Sequence, residues 1–407
     1  MCANSVPISH GPFAPLAGLR VVDLTSSLAG PWCTAILAAL GADVVKVERP
    51  GAGDEARDWG PPFFPGGSVL FFAANPGKRS LALDLKSSEG RDALLRLVER
   101  ADVFLASLRP GAAERLGFGP NELRARNPRL VVCTVGAFGA TGPLAHQPGY
   151  DPLMQAAAGI VSVTGEPDRP GVRVGSSLVD LATGVWAALG VVSALRERDT
   201  TGAGRAVDVS LFETALSLLP YQLANVLAGA PPPARHGTAF PLIVPYQVFP
   251  TRDGELMIAA ANDRLFAALC TALGSPGLAS DPRFATNPLR VEHRTDLIPL
   301  LEARTREAST RDLLAALEAA GVPAAPVRTL DEVAAHEQTH ALGILQRLGD
   351  RTAVAPPLSL DGERVRYPGP PPRLGEHTDE VLREAGYSAA EIDALEAAGV
   401  VQRAPAR

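Results

Sequence analysis

The chain has 407 residues, 46% of them hydrophobic; this suffices for roughly two or three domains with sizeable cores and excludes a small disulfide-stapled scaffold. Its 38 basic and 44 acidic residues give a net charge of −6, which argues against a protein that coats the phosphate backbone of nucleic acid. The four cysteines are Cys2, Cys33, Cys133 and Cys270. They lie far apart in the sequence and have no histidine at metal-ligand spacing, so we expect neither a disulfide framework nor a zinc site.

The N-terminal half alternates predicted strands and helices. Residues 1–18 resemble neither a signal peptide nor a transit peptide, which favours a cytoplasmic protein. A β-branched run at 19–24, an Ala/Leu helix at about 32–40 and a strand at 43–48 form a βαβ unit. The alternation continues with strands at 80–84, 103–106 and 130–135 and helices at 88–99 and 120–127. This predicts an α/β fold with a Rossmann-like, doubly wound parallel sheet, whose ligands bind at the carboxyl ends of the strands.

The first turn between strand and helix argues against a dinucleotide cofactor. Residues 24–31 read LTSSLAGP and lack the three spaced glycines that let the backbone approach a pyrophosphate. We therefore expect neither NAD nor FAD.

Beyond two helical stretches, at about 181–198 and 210–227, the composition changes. The apolar stretch 211–230 contains Glu213, Pro220, Gln222 and Asn225, so we expect no membrane span. The Pro/Ala/Gly-rich segment 229–235 is typical of a linker. A hairpin at 245–250 and 255–260, followed by a helix near Asn262, indicates a smaller α+β domain. The predicted domains are 1–228, 229–342 and 343–407; the last is Pro-rich, then helical, and periodicity leaves open which domain it packs on.

Asp180 is the first candidate for chemistry. It lies just ahead of an apolar helix, where a carboxylate meets unpaired backbone N–H groups and the positive end of the helix dipole. An aspartate there is ordinarily an N-cap, and the functional alternative is a carboxylate nucleophile. The residue types alone leave both open.

Three arginines lie where an anionic ligand would meet the sheet. Arg49, Arg109 and Arg115 follow strands, and the planar guanidinium suits phosphate, although most arginines are simply solvated. Tyr150 and Asp151 form either a binding turn or a helix start.

Other chemistries find no support in the sequence. It has no G-x-S-x-G elbow, no P-loop and no H-E-x-x-H. His336 and His340 have helical i,i+4 spacing but no third ligand, so we expect no metal site.

A set of ordered motifs nevertheless points to one family. The motifs are GLRVVDL at 18–24, LGADVVKVERPG at 40–51, NPGKRS at 75–80, RPG at 109–111, GYD at 149–151 and DLATG at 180–184. In this order they resemble the family III (formyl-CoA transferase-like, CaiB-BaiF) CoA-transferases. The resemblance continues through TGAGR at 201–205, IVPYQ at 243–247 and LGEHT at 374–378, and so covers nearly the whole chain.

The resemblance implies a fold, an assembly and a mechanism. It implies a cytoplasmic homodimer of two interlocked rings, in which the last segment returns to the large domain. Coenzyme A and acyl-CoA would be substrates, without a tightly bound cofactor. Asp180 occupies the position of the family's nucleophile, which forms a mixed anhydride with the donor acyl group and then an aspartyl-CoA thioester. The partners expected are acyl-CoA and small carboxylic acids, not nucleic acid or membrane.

The same resemblance implies binding roles for further residues. Arg49 and Arg115 would contact the nucleotide phosphates or adenine. The CoA path would be lined by Leu28, Ala29, Asn75, Lys78, Leu108, Arg109, Tyr150 and Asp151.

The acceptor is expected to be a small dicarboxylate. The formyl-CoA enzymes carry a long Gly-rich loop over the site, whereas here residues 236–244 run directly into the hairpin, which disfavours oxalate and formate. The chain looks more like the succinyl-CoA-dependent succinate–hydroxymethylglutarate transferases. We expect the distal carboxylate of the substrate near His236, Gly237 and Asn262.

Two alternatives remain at this stage. Alpha-methylacyl-CoA racemases resemble this family but pair the aspartate with a histidine at the position of Tyr150, and a phenol with a pKa near ~10 is a poor base at neutral pH. A non-catalytic CoA-binding homologue would not need a carboxylate at position 180.

Overall fold

A computed structural model describes residues 14–108 and 111–405 of the chain. Cys2 and Arg109 lie outside the described residues. The described residues form two compact units. The first comprises segments within 1–158, 174–224 and 338–407, and the second comprises 159–173 and 225–337.

A mixed α/β sheet is the centre of the first unit. Within the described residues it has seven strands, numbered here in chain order with the short strands: β1 (Arg20–Leu24), β2 (Asp43–Glu48), β5 (Arg79–Leu83), β6 (Val103–Ala106), β7 (Val131–Gly136), β8 (Ala206–Ser210) and β16 (Val401–Gln402). Their spatial order is β16-β5-β2-β1-β6-β7-β8. All neighbours pair in parallel except β16, which is antiparallel to β5. The short strands of this unit are β3 (Phe63–Phe64), β4 (Gly67–Ser68), β12 (Leu345–Leu348), β13 (Arg351–Val354), β14 (Ser359–Leu360) and β15 (Glu363–Arg364).

The central strands are largely buried because helices cover both faces of the sheet, and besides their apolar residues β1 and β2 bury Asp23, Lys46 and Glu48. All four residues of β6 are buried. Val22 pairs in register with Val45 and Phe104, and this row packs with Leu94 and Leu382 into one core. The helices of this unit are α1 (Ala29–Ala39), α2 (Val69–Ala74), α3 (Ser88–Val98), α4 (Ala112–Arg115), α5 (Pro120–Arg126), α6 (Asp151–Ala157), α8 (Leu178–Thr201), α9 (Leu211–Ser217), α10 (Pro220–Leu227), α17 (Thr378–Glu384) and α18 (Ala389–Ala397).

Helix α8 packs along α1 and is the longest apolar helix of the chain that the structure describes. Its 24 residues are long and apolar enough to cross a bilayer by length and composition, with a mean hydropathy of 1.8 over 18 residues. Of that window, 44% is buried inside the protein. Core helices of soluble proteins meet the same criterion, so the length alone is weak evidence for a span.

The C-terminal half of the first unit differs from the sequence prediction in two places. The predicted helix at 210–227 is two helices, because Pro220 lacks the N–H that a helix interior requires and instead begins α10. Strand β8 was not predicted; it adds to β7 in parallel and extends the sheet on that side.

The second unit is α+β. Within the described residues its sheet has three antiparallel strands, β9 (Tyr246–Pro250), β10 (Glu255–Ala259) and β11 (Ala324–Pro326). Phe249, Ile258, Phe266 and Leu301 belong to its core. The accompanying helices are α7 (Ile160–Val163), α11 (Asp263–Ala272), α12 (Asn287–Glu292), α13 (Arg294–Thr305), α14 (Thr310–Ala319) and α15 (Leu330–Ala335), with α16 (Glu337–Ala341) at the boundary.

Residues 159–173 group with this second unit, although the predicted boundaries put them in the large domain. The reason is a set of contacts that are distant in sequence. The Gly237 N–H donates to the Gly165 carbonyl at 2.9 Å, and Arg235 Nε donates to the Glu166 carbonyl at 3.2 Å.

The last segment, from residue 338, groups with the first unit. Val401 pairs with Leu83, and the Thr378 hydroxyl donates to the Gln402 carbonyl at 2.7 Å. The final strand therefore completes one edge of the large sheet.

Candidate active site

A cavity of about 720 Å³ opens at the carboxyl ends of the parallel strands, wholly within the first unit. The ends of six strands contribute to its wall, where a doubly wound sheet binds its ligands; one of them is β8, which Leu211 follows. The wall includes Thr25 after β1, Arg49 after β2, Lys86 after β5, Leu108 after β6 and Ala137 after β7.

Asp180 lies on the wall of this cavity, in the first turn of α8. Its side chain is partly buried, and burial together with the nearby charge of Asp151 raises the pKa of Asp180 to about 7. A carboxylate with reduced hydration that still faces a cavity is suited to nucleophilic attack.

The two helices that border the cavity approach each other closely at Gly184. A Cβ at this position would lie 2.7 Å from the Ala29 carbonyl oxygen and 3.1 Å from the Cys33 nitrogen. Because glycine has no Cβ, α8 can approach the N-terminus of α1, and Asp180 then shares a wall with Ala29.

Five residues predicted for the site lie on this one wall: Ala29, Arg49, Leu108, Tyr150 and Asp180. Arg49 is exposed. The rings of Tyr150 and Trp59 meet edge to face, with centroids 6.3 Å apart.

Asn75 and Lys78 were predicted to line the CoA path, but the structure buries both side chains. Lys78 Nζ donates to Asp23 Oδ2 at 3.1 Å, to the Pro31 carbonyl at 2.9 Å and to Asn75 Oδ1 at 2.8 Å. With three partners inside the protein, the ammonium group has no free donor for a ligand. Lys78 thus supports the first turn of α1 through the Pro31 carbonyl, and Asn75 holds Lys78 in place.

Three further predicted residues are not on the wall. Asp151 is 1% exposed and its carboxylate is occupied by internal hydrogen bonds. Leu28 is buried, and only its neighbour Ala29 reaches the cavity. Arg115 is exposed at the end of α4, where Leu116 lines the cavity instead. Arg109 falls outside the described residues.

The three residues expected near the distal carboxylate belong to the second unit. Asn262 is the N-cap of α11, where its Oδ1 accepts from the Leu265 N–H at 2.9 Å, so its side chain serves the helix. Gly237 has a left-handed backbone, with φ 58°. Burial and the charge of Arg294 lower the pKa of His236.

Several wall residues were missed by the sequence analysis: Ser27, Glu55, Trp59, Lys86 and Gln147. Lys86 follows the end of β5 and is exposed, so the strand-end rule that selected the arginines would have found it. Ser27 has a φ of 69°, and its hydroxyl donates to Glu55 at 2.6 Å. No sequence pattern predicts this turn.

No group of three or more His, Cys, Asp or Glu side chains in residues 14–108 and 111–405 could hold a metal ion. The cavity wall carries the cationic side chains of Arg49 and Lys86 and five acidic residues, Glu48, Asp54, Glu55, Asp84 and Asp180. Glu48 and Asp54 form buried ion pairs with Arg57 and Lys46, whereas Asp180 is partly desolvated and faces the cavity. This combination fits a reaction of carboxylates with an anionic, nucleotide-containing substrate.

Comparison with known proteins decides the family. The model of CoA-transferase family III matches residues 16–378. The chain belongs to this family. It is 39% identical to the succinate–glutarate CoA-transferase of Agrobacterium fabrum over 91% of this chain and 95% of that one. It is 41% identical to the acetyl-CoA:oxalate CoA-transferase of Acetobacter aceti over 92% and 96%.

A solved structure agrees with the fold of this CoA-transferase. A CaiB/BaiF family protein from Brucella suis superposes with a TM-score of 0.84 at 40% identity, covering 92% of this chain and all of that one. The predicted α/β class with a large, mainly parallel sheet is thus confirmed, as is membership of the CoA-transferases.

Proposed function

We propose that this CoA-transferase moves CoA from succinyl-CoA to a small dicarboxylate and that Asp180 is the nucleophile. The observation that carries the proposal is the position of the Asp180 carboxylate, partly desolvated on the wall of the 720 Å³ cavity. It is the carboxylate that the family resemblance selects.

Four acyl-transfer steps balance the reaction. An Asp180 oxygen attacks the carbonyl carbon of the donor thioester, and the C–S bond breaks to release CoA thiolate. The thiolate attacks the aspartyl carbonyl of the mixed anhydride and expels the donor carboxylate, which leaves an aspartyl-CoA thioester. The acceptor carboxylate attacks that carbonyl and releases the thiolate again. The thiolate then attacks the acceptor's acyl carbon, which forms the new thioester and regenerates Asp180.

The cavity provides the binding groups that these steps need. Each tetrahedral intermediate carries an oxyanion, and the first N–H groups of α1 are its donors in this proposal, because the N-cap residue Leu28 supplies no side-chain hydrogen bond there. Arg49 and Lys86 would bind phosphates of CoA, for which charged donors are suited. CoA is a substrate here, and the proposal needs no tightly bound cofactor.

The choice of acceptor rests on the names of relatives. Succinyl-CoA is paired with glutarate in the mouse relative, with D-citramalate in the Chloroflexus aurantiacus relative and with mesaconate in the Haloarcula hispanica relative. All three acceptors are dicarboxylates of similar length. The name of the Acetobacter aceti relative gives oxalate, which is a shorter dicarboxylate.

We also propose that the chain acts as a homodimer. Val185, Trp186 and Leu189 of α8 are each at least half exposed, and Leu227 of α10 is 80% exposed. Large apolar side chains left open on neighbouring turns are typical of an interface. Sedimentation equilibrium tests the proposal, and a monomeric mass at micromolar concentration would contradict it.

The test of the reaction is a substrate panel followed by mass spectrometry. Purified protein is incubated with succinyl-CoA and with glutarate, D-citramalate, mesaconate, oxalate or a monocarboxylate. We expect new thioesters of the longer dicarboxylates that disappear in Asp180→Ala. Asp199→Ala, at the exposed end of the same helix, is the matched control and should retain full activity. Turnover by Asp180→Ala would refute the nucleophile, and α-proton exchange without transfer would indicate a racemase.

A further inference from the structure

Two fully buried polar side chains of α6 face the beginning of α8. Asp151 is 1% exposed and Gln155 is 0% exposed. Asp151 Oδ2 accepts from the Val179 N–H at 2.7 Å and from the Asp180 N–H at 3.2 Å. Asp151 Oδ1 accepts from Gln155 Nε2 at 2.6 Å.

These bonds replace an ordinary helix cap. The N-cap residue of α8, Ser177, makes no side-chain capping bond, and Val179 and Asp180 are the second and third helical residues. Those are the positions whose N–H groups a capping side chain normally satisfies. Asp151 therefore caps α8 from a different helix, and one of its two bonds goes to the backbone of the nucleophile itself.

Gln155 connects the cap to the segment that leads into α8. Its Oε1 accepts from the Val174 N–H at 2.8 Å. The first turn of α8 and the residues before it are thus held by one chain of hydrogen bonds, from Val174 through Gln155 and Asp151 to Asp180.

We propose that Asp151 and Gln155 are positioning residues for Asp180: the buried pair fixes the nucleophile's turn of α8 and places a second negative charge beside its carboxylate. The pair acts through Asp180 and does not touch substrate. The inference rests on the proposed function of Asp180 and assigns to Asp151 a role other than lining the CoA path.

The charge of Asp151 is well placed to act on Asp180. Of the elements packed on α8, helix α1 and strand β7 carry no charged side chain, while α6 carries Asp151, α9 carries Glu213 and β8 carries Asp208. Only burial and Asp151 raise the pKa of Asp180. An anionic neighbour makes the Asp180 carboxylate more basic, and a more basic oxygen is the better nucleophile toward the thioester.

The test separates geometry from charge with two substitutions. In Asp151→Asn, an amide that keeps its oxygen toward the Val179 and Asp180 N–H groups turns its NH₂ toward Gln155 Nε2, so two donors face each other. Gln155→Glu in addition supplies acceptors for that NH₂ and for the Val174 N–H. The double variant therefore restores the bonds to Val174, Val179 and Asp180, loses only the long bond from Gln155 Nε2 to the Ser176 carbonyl at 3.5 Å, and moves the negative charge one side chain farther from Asp180.

The readout is kcat against pH, together with KM for succinyl-CoA. We expect Asp151→Asn to lower kcat by about tenfold, because the two facing donors disturb the turn that carries Asp180 and the lost charge leaves its carboxylate less basic, with an unchanged KM and an acid limb moved to lower pH. The double variant should recover most of kcat while its acid limb stays below that of the wild type. An equivalent profile for Asp151→Asn and wild type would refute the inference.

Two further results bear on the role of Asp151: a change in KM alone, and a failure of the single variant to fold. A raised KM with unchanged kcat would make Asp151 a substrate contact and overturn the positioning role. If Asp151→Asn alone does not fold, the double variant is the test, and an acid limb identical to wild type refutes the charge effect. The proposed function is tested separately, because it fails if Asp180→Ala retains turnover or if the wild type forms no new thioester, and neither result depends on Asp151.

Discussion

At the scale of single residues, Arg49 is the cationic wall residue on which CoA binding is best tested. Its guanidinium is exposed at the end of β2 and lines the cavity. We expect Arg49→Ala to raise KM for CoA thioesters by about tenfold or more, since a hydrogen bond to a charged group contributes ~1.5–3 kcal/mol. Because the proposed contact is with a phosphate of CoA and not with the reacting carbonyl, kcat should stay near the wild-type value.

The measurement is steady-state kinetics with succinyl-CoA as the varied substrate. Arg126→Ala is the matched control, since Arg126 is an exposed arginine in the same unit whose partner is the surface residue Glu99. An unchanged KM in Arg49→Ala would show that this arginine does not bind CoA.

The sequence predicts which residues lie at the ligand edge of the sheet, but it does not predict which way their side chains point. Strand-end reasoning placed Arg49 on the wall, because a residue just after a parallel strand lies at the ligand edge of the sheet. Asp151 directly follows the wall residue Tyr150, and Lys78 directly precedes β5, yet both side chains are buried. Which way a side chain points depends on partners far away in sequence, such as Asp23 for Lys78, and spacing does not reveal them.

At the scale of elements, helices α1 and α8 border the cavity, and they approach each other closely at Gly184. We expect Gly184→Ala to push the helices apart, because its Cβ would meet backbone atoms at 2.7–3.1 Å that cannot rotate away. Both the midpoint of thermal unfolding and kcat should fall, since Asp180 and Ala29 occupy these two helices.

Gly190→Ala on the same helix is the matched control. There the added methyl group would meet a single side-chain methyl of Val207, at 2.7 Å, and not backbone. The substitution also gains helix propensity, so we expect a smaller loss of stability and kcat near wild type. Equal losses in both variants would contradict a special role for the α1–α8 contact.

The sequence predicts those strands and helices whose own residues carry a clear hydrophobic pattern. Strands β1, β2 and β6 and helix α3 follow from apolar runs and 3.6-residue periodicity, and their bounds agree within one residue. Strand β8 did not follow, because it is short and half exposed and forms by pairing with β7. Pro220 did signal a break, but the apolar run around it favoured a single helix.

At the scale of the whole molecule, the division into units depends on contacts that the sequence order hides. The α/β class and the smaller α+β unit follow from the order of strands and helices. The assignment of residues 159–173 does not, because it depends on hydrogen bonds to residues 235–237. Likewise, the two residues of β16 do not by themselves indicate where the strand lies. Its place beside β5 depends on the pairing of Val401 with Leu83 and of Gln402 with Ala82.

The free energy of unfolding of the whole molecule should depend on pH through the ionisation of Asp180. Burial and Asp151 raise the pKa of Asp180 from 3.8 to about 7, so between these pH values the folded state holds a proton that the unfolded state has released. The folded state then binds more protons, and the stability of the wild type falls as the pH rises through this window and stays lower above it. Asp180→Asn removes this titration while preserving shape.

We therefore expect Asp180→Asn to unfold at a higher temperature than wild type at pH 8, with the difference shrinking toward zero near pH 4. The measurement is the unfolding midpoint across this range at one protein concentration and scan rate, with the exposed Asp199→Asn as control. A difference that is constant with pH would show that Asp180 has an ordinary pKa. A pH-dependent difference would mean that the ionised nucleophile is held at a cost to folding, as expected where activity and stability compete at one residue.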